Sequence, residues 1–390
     1  MTIRMTSRTT AAQRADVFNS QRRRTVKALG FTIAGTLVAS HYTRLSFAAT
    51  AEKTSSKGQA MKNTITPEKL ALTSAWDKTF PESAKVAHRK VTFVNRFGVT
   101  LAADLYTPKT LAVGKHPAIA VSGPFGAVKE QSSGLYAQTL AEHGWITLAF
   151  DPAYTGESGG EPRHMASPDL NTDDFSAAID FLTTLPEVDA ERLGIVGICG
   201  WGGMALNAAA VDPRIKATVT STMYDMSRVM ANGYFDASNT KEARQAMRAS
   251  MAKVRTENAR SGKLAAGQPG LPDQLKGDEP QFVKDYWEYY KTPRGFHARS
   301  INSNGAWSPL MPWSFINMPL LTYIGEIDAP VLMIHGEKAH SRYFSEDNFK
   351  RLTGTNKELL IIPGANHTDL YDKKIPFERI DAFFAKALGR

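Results

Sequence analysis

The chain holds a single cysteine among its 390 residues, and that residue occupies a place suited to a nucleophile. Cys199 lies in Leu193-Gly194-Ile195-Val196-Gly197-Ile198-Cys199-Gly200-Trp201-Gly202-Gly203-Met204-Ala205-Leu206, which reads as an apolar strand, a glycine-rich corner and a helix start. A corner of this kind stands a side chain exposed at the end of a parallel strand. Its glycines accept the unusual backbone angles and the close passage of neighbouring chain. Attack by a thiol on an acyl carbonyl also needs a base for the thiol proton and donors for the developing oxyanion. Because a thiol is only a few per cent ionised near neutrality, it gains from a nearby imidazolium or a helix N-terminus. A lone cysteine after a strand also fits a small buried hydrophobe, so the neighbouring segments must decide.

Those segments alternate between strand and helix patterns. Lys90–Val94 and Val99–Tyr106 flank Asn95-Arg96-Phe97-Gly98 as a hairpin would. Ala118–Ser122, Trp145–Phe150, Leu193–Val196, Ala217–Thr220, Val331–Ile334 and Leu359–Ile362 are short apolar runs that suit a mainly parallel sheet. Helices fit between them. Leu135–His143 ends at Gly144, and Phe175, Ala178, Ile179 and Leu182 share one face of a helix opened by Asn171 or Thr172. Phe377, Ile380 and Phe384 line a closing helix. Between Tyr224 and Ile327 about a hundred residues replace a single crossover helix. This insert opens with a basic helix, Asn239–Arg260, carrying Met247, Met251 and Val254 on one face, and continues rich in aromatic residues.

Four segments in order resemble the α/β-hydrolase superfamily, and within it dienelactone-hydrolase-like proteins with a cysteine nucleophile. They are Ser122-Gly123-Pro124-Phe125-Gly126-Ala127, the loop Asp151–Gly160, the corner at Cys199, and Pro363-Gly364-Ala365-Asn366-His367 after the last strand. The resemblance runs from about residue 86 to the C-terminus. It implies an α/β-hydrolase fold, with a mostly parallel central sheet, helices on both faces and an inserted, mainly helical cap. It further implies Cys199 as nucleophile, His367 as base, and the backbone N–H groups of Gly200 and Phe125 as oxyanion donors; Pro124 has no N–H to offer. His335 ends a strand and is better suited to ordering the loop that follows. Where the superfamily usually carries an aspartate after the seventh strand, this chain reads His335-Gly336-Glu337-Lys338-Ala339-His340. Glu337 is the expected acid, with Asp225 as the alternative; Glu337 could instead pair with Lys338 or Arg342. Dienelactone hydrolases carry a glutamate at the position of Gly123, so dienelactone itself is not implied. Trp201 stands where the nucleophile motif has glycine and is expected to narrow the mouth of the site.

Residues 1–51 read as an export signal of the twin-arginine type. They carry eight basic residues and one acid, so most of the net charge of +9 belongs to the leader and nothing points to nucleic acid. Gln21-Arg22-Arg23-Arg24-Thr25-Val26-Lys27 precedes an apolar stretch, Ala28–Ala39, too short to cross a bilayer, and small residues follow near Ser46–Ala51. Stable membrane insertion after leader removal is not expected. An exported protein with one cysteine cannot form an internal disulfide. The expected layout is 1–51 leader, 52–85 loose lead-in, 86–224 first part of the core, 225–325 inserted cap and 326–390 second part of the core. No metal-ligand cluster or phosphate loop implies a cofactor. The expected activity is hydrolysis of a small-molecule ester, thioester or lactone in the periplasm. A peptidase releasing short acyl-peptides and a non-catalytic binding protein on the same fold are the alternatives.

Overall fold

The computed structural model describes residues 66–390; the leader and residues 52–65 lie outside the described residues. Eight strands make one sheet in the order β1-β2-β4-β3-β5-β6-β7-β8. They are β1 (Val86–Val94), β2 (Thr100–Pro108), β3 (His116–Ser122), β4 (Ile146–Phe150), β5 (Val188–Ile198), β6 (Ile215–Ser221), β7 (Val331–Gly336) and β8 (Lys357–Ile362). The β1–β2 and β2–β4 pairs are antiparallel and all later pairs are parallel. The β1–β2 turn forms where the sequence places it. Asn95 Oδ1 accepts from the N–H groups of Phe97 and Val99, and Gly98 takes a φ of +80° that few side chains tolerate.

In the core, helices α1 (Ser132–Glu142), α2 (Pro168–Thr183) and α3 (Gly200–Val211) connect the early parallel strands. α2 begins at Pro168, three or four residues before the expected opening at Asn171 or Thr172. Ser167 caps it by accepting from Leu170 N–H, and Pro168 fills the first turn, where its missing N–H costs nothing. Between β6 and β7 lie α4 (Met226–Asn232), α5 (Lys241–Ser261), α6 (Gln281–Tyr290), α7 (Ile301–Asn304) and α8 (Pro312–Phe315). α5 buries only Met251 and is otherwise solvated. After β7 come α9 (Arg342–Phe349), α10 (Asp369–Asp372) and α11 (Phe377–Leu388), the last burying Ile380, Phe384 and Leu388.

The described part of the lead-in is not loose. Phe80 is buried, Thr79 N–H donates to the Glu130 carbonyl at 2.9 Å, and Thr73 N–H donates to Glu157 Oε1 at 2.6 Å. No helix among the described residues is long and apolar enough to cross a membrane.

Candidate active site

β5 delivers Cys199 to the carboxyl end of the sheet, where its backbone turns to φ +57° and ψ −127° before α3 begins. A non-glycine residue there stores strain of about 1–3 kcal/mol, held by its surroundings. Cys199 N–H donates to the Ser221 carbonyl at 2.9 Å, and its own carbonyl accepts from Gly202 and Tyr224, both at 2.9 Å. A side chain at Gly197 would lie 2.2 Å from the Trp201 carbonyl oxygen, so the corner closes only on glycine. Gly123 is equally confined: a Cβ there would lie 2.2 Å from the Ile198 carbonyl oxygen. No glutamate could occupy that position without moving the corner.

The thiol is buried. Burial pushes its pKa up, against the hydrogen bonds that the Tyr371 hydroxyl, the N–H groups of Phe125 and Gly200 and the Tyr286 hydroxyl, all facing the sulfur, would give a thiolate. Both expected oxyanion donors therefore stand at the sulfur, from the β3 loop and the first residue of α3. Asn302 Nδ2 on α7 holds the first loop by donating to the Phe125 carbonyl at 2.8 Å.

His367 is also buried. Its Nδ1 lies 2.8 Å from Thr222 Oγ1 and 2.6 Å from Ser341 Oγ, and its Nε2 lies 3.0 Å from Tyr371 Oη. Burial, followed by the neighbouring imidazoles of His340 and His335, holds its pKa well below the usual value. Burial thus favours a neutral thiol and a neutral ring over a thiolate–imidazolium pair. No carboxylate pairs with His367 among the described residues. Glu337, the expected acid, turns away, and its Oε2 accepts from Gly364 N–H at 2.8 Å. Asp225, the alternative, caps α4 by accepting from Arg228 N–H at 3.0 Å and from Ser227 Oγ at 2.6 Å. Each carboxylate satisfies a loop or helix end instead.

Hydroxyls hold the ring. Thr222 follows β6 with a φ of +48°, an outlier for a β-branched residue. Ser341 lies six residues past His335, whose Nε2 is 2.9 Å from Ser341 Oγ and whose Nδ1 is 2.6 Å from Ser345 Oγ. Burial pushes His335 down to about 3, so this ring too is neutral. In the direction a general base requires, His367 Nδ1–H is shared between Ser341 and Thr222, Ser341 donates to His335 Nε2, and His335 Nδ1–H to Ser345. His367 Nε2 is then an acceptor.

A cavity of about 370 Å³ opens over Cys199. Phe125, Met226, Met230, Leu271 and Trp307 supply apolar walls, and Tyr224, Tyr234, Tyr286, Tyr290 and Tyr371 crowd the rest. Most of these residues belong to the insert. Trp201 does not line the cavity; it is buried edge-on against Phe150 and Phe175. Its side chain points back into the core from the first turn of α3, so the expected narrowing of the mouth is not seen.

Behind the Phe125 loop, Lys129 is fully buried and donates to Glu130, Asp151 and Glu157 at 2.7, 2.9 and 2.6 Å. Three carboxylates that could converge on a metal are thus gathered around an ammonium. Burial opposes ionisation of Glu157, but Lys129 outweighs it and brings the carboxyl to about 2. Arg299 of the insert ties in at 2.9 Å from Glu130 and 2.8 Å from Asp77 of the lead-in.

Thr222, Ser341 and Tyr371 were not singled out from sequence. Tyr371 alone had a usable signal, its spacing of four from His367.

The family model for X-Pro dipeptidyl-peptidase (S15 family) matches residues 98–369, more than half of the chain. The chain belongs to the S15 family. A relative of this S15 chain, the uncharacterized protein PA2218 of Pseudomonas aeruginosa, is 62% identical over 322 residues, 82% of this chain and 86% of that protein. The crystal structure of PA2218 covers 82% of this chain and 100% of its own, with a TM-score of 0.80. The α/β hydrolase GrgF from Penicillium sp. sh18 matches at a TM-score of 0.64 and 20% identity, over 78% of this chain and 100% of that one. The S15 chain therefore has the α/β-hydrolase fold. Over a shorter stretch, thiohydrolase aneE of Aspergillus aculeatus is 30% identical across 139 residues, 36% of this chain and 42% of that protein. The protein is a hydrolase of this fold.

Proposed function

We propose that the protein hydrolyses carboxylic esters, thioesters or lactones through an acyl-enzyme on Cys199, with His367 as general base. What carries the reading is the sulfur of Cys199, raised on a strained corner and faced by the Phe125 and Gly200 N–H groups. Two backbone donors aimed at one reactive atom suit a tetrahedral oxyanion. The thiol attacks the carbonyl carbon while its proton passes to His367; the carbonyl oxygen takes the negative charge between Phe125 and Gly200. Collapse expels the alcohol or thiol, protonated from the imidazolium, and leaves an acyl thioester on Cys199. Water, deprotonated by His367, then attacks that thioester and releases the acid.

Both an acyl hydrolase and an aminopeptidase-like S15 activity fit this machinery, and the cavity favours the first. A free α-amino group must be desolvated against an opposite charge. None of the residues lining the cavity is charged, among the described residues. The substrate is therefore a small, neutral acyl compound, and residues 225–325 act as the cap that covers it. The thiohydrolase relative supports the thioester reading, and the Cys199 corner supports a dienelactone-hydrolase-like assignment, from which Gly123 departs. We also propose export by the twin-arginine route, on the strength of Arg22, Arg23 and Arg24 ahead of a short apolar stretch.

A panel of p-nitrophenyl esters, acyl thioesters and an N-terminally free Gly-Pro p-nitroanilide tests the reading. Esters and thioesters should turn over while the anilide does not. Faster release from the anilide would return the protein to a peptidase role.

A further inference from the structure

His367 makes no hydrogen bond to Cys199 among the described residues; its Nε2 is engaged by the Tyr371 hydroxyl at 3.0 Å. That same hydroxyl is among the groups facing the Cys199 sulfur, and Tyr371 lines the cavity beside it. The Tyr371 hydroxyl is thus hydrogen-bonded to the proposed base and lines the same cavity as the proposed nucleophile. We propose that Tyr371 is a further catalytic residue, the relay through which the thiol proton of Cys199 reaches His367 Nε2; this rests on the acyl-enzyme reading above.

A phenol has one proton to give: beside the resting thiol Tyr371 Oη accepts from Cys199 S–H and donates to His367 Nε2, which is what a relay needs. As the Sγ–C bond forms and the carbonyl electron pair moves to oxygen, the S–H proton passes to Tyr371 Oη. The phenol's own proton passes to His367 Nε2 in the same event. Tyr371 ends neutral, His367 ends as imidazolium, and the oxyanion carries the negative charge. When the C–O or C–S bond breaks, the proton returns through Tyr371 to the leaving atom. Burial raises the Tyr371 pKa well above the usual value, so the phenol does not rest as a phenolate. Its ring is fixed edge-on by Tyr289 and Tyr290, at centroid distances of 4.9 and 6.2 Å.

Tyr286 provides an internal comparison. Its hydroxyl also faces the sulfur and its ring packs 5.2 Å from that of His367, but its hydrogen bonds run to Tyr224 Oη at 2.9 Å and onward to His340, and none among the described residues reaches His367.

The test is the rate of Cys199 acylation by p-nitrophenyl butyrate, followed as the nitrophenol burst in mixtures of H2O and D2O. Intact mass identifies the adduct. Two protons in flight give a curved dependence on deuterium fraction in the wild type. Tyr371→Phe, which keeps the ring, should acylate about 100-fold more slowly or worse, with a linear dependence and an unchanged Tm. Tyr286→Phe, which leaves the Tyr371–His367 contact in place, should keep the curved dependence of the wild type. The relay is overturned if Tyr371→Phe acylates within threefold of the wild type, if it slows yet keeps the curved plot, or if Tyr286→Phe loses the curvature instead. A linear plot in the wild type overturns it without recourse to any variant. Absence of an adduct on wild-type Cys199 would overturn the acyl-enzyme reading itself, and is told apart by the mass.

Discussion

Removing the hydroxyls that hold His367 should slow turnover by a modest factor, far smaller than loss of a triad carboxylate. Ser341 Oγ and Thr222 Oγ1 lie 2.6 and 2.8 Å from Nδ1, and both are buried. Ser341→Ala leaves Thr222 in place, and Thr222→Val leaves Ser341 while keeping the β-branched shape at the strained φ. Each single change removes one neutral hydrogen bond worth about 0.5–1.5 kcal/mol. That corresponds to roughly 2- to 10-fold in kcat. The double variant orphans the buried Nδ1–H at a cost of about 1–3 kcal/mol, or roughly 5- to 150-fold. Disabling the aspartate of a serine triad, by contrast, costs about 10⁴. Glu337→Gln serves as the control, and should change kcat by less than about threefold, because its carboxylate engages Gly364 and not the ring. The assay is kcat for p-nitrophenyl butyrate beside Tm by calorimetry. An unchanged kcat in the double variant would refute the reasoning, as would a hundredfold loss in Glu337→Gln at constant Tm.

Three further outcomes follow from the same geometry. Iodoacetamide should alkylate Cys199 more slowly than a free thiol at pH 7, because burial raises its pKa; the rate should climb as the pH passes above the usual thiol value, and fast labelling at pH 7 would contradict a neutral thiol. Trp201→Gly should destabilise by about 3–5 kcal/mol in chemical denaturation, as expected for a large aromatic lost from a core; selective gain on bulky esters at unchanged stability would mean that Trp201 borders the cavity after all. Replacing Arg22, Arg23 and Arg24 with lysine should retain the protein in the cytoplasm by fractionation, whereas continued export would indicate the general secretory route.

The sheet was legible because its strands are short apolar runs separated by turn residues, and β4, β6 and β7 fall within two residues of where periodicity places them, while β5 begins five residues earlier, at Val188. The corner at Cys199 was legible because its glycines are packed against backbone. His367 could be found by its place after the last strand, in the glycine-containing loop Pro363-Gly364-Ala365-Asn366-His367. The acid could not. Which side chain meets Nδ1 depends on where the loops after β6 and β7 turn, and Thr222 turns inward only through an uncommon φ. Serine and threonine are frequent in loops, so neither Ser341 nor Thr222 stood out. Trp201 misled for a related reason: spacing places it beside Cys199 in sequence, whereas the first turn of α3 sends it to the opposite side.

The account rests most on Cys199 carrying the acyl group. Wild-type protein mixed with p-nitrophenyl butyrate and acid-quenched within the first turnover should gain the mass of one butyryl group, mapped to the peptide containing Cys199. Cys199→Ala, folded with an unchanged Tm, should gain none and release no nitrophenol above background. Continued turnover by Cys199→Ala, or an adduct on any other residue, would contradict the account.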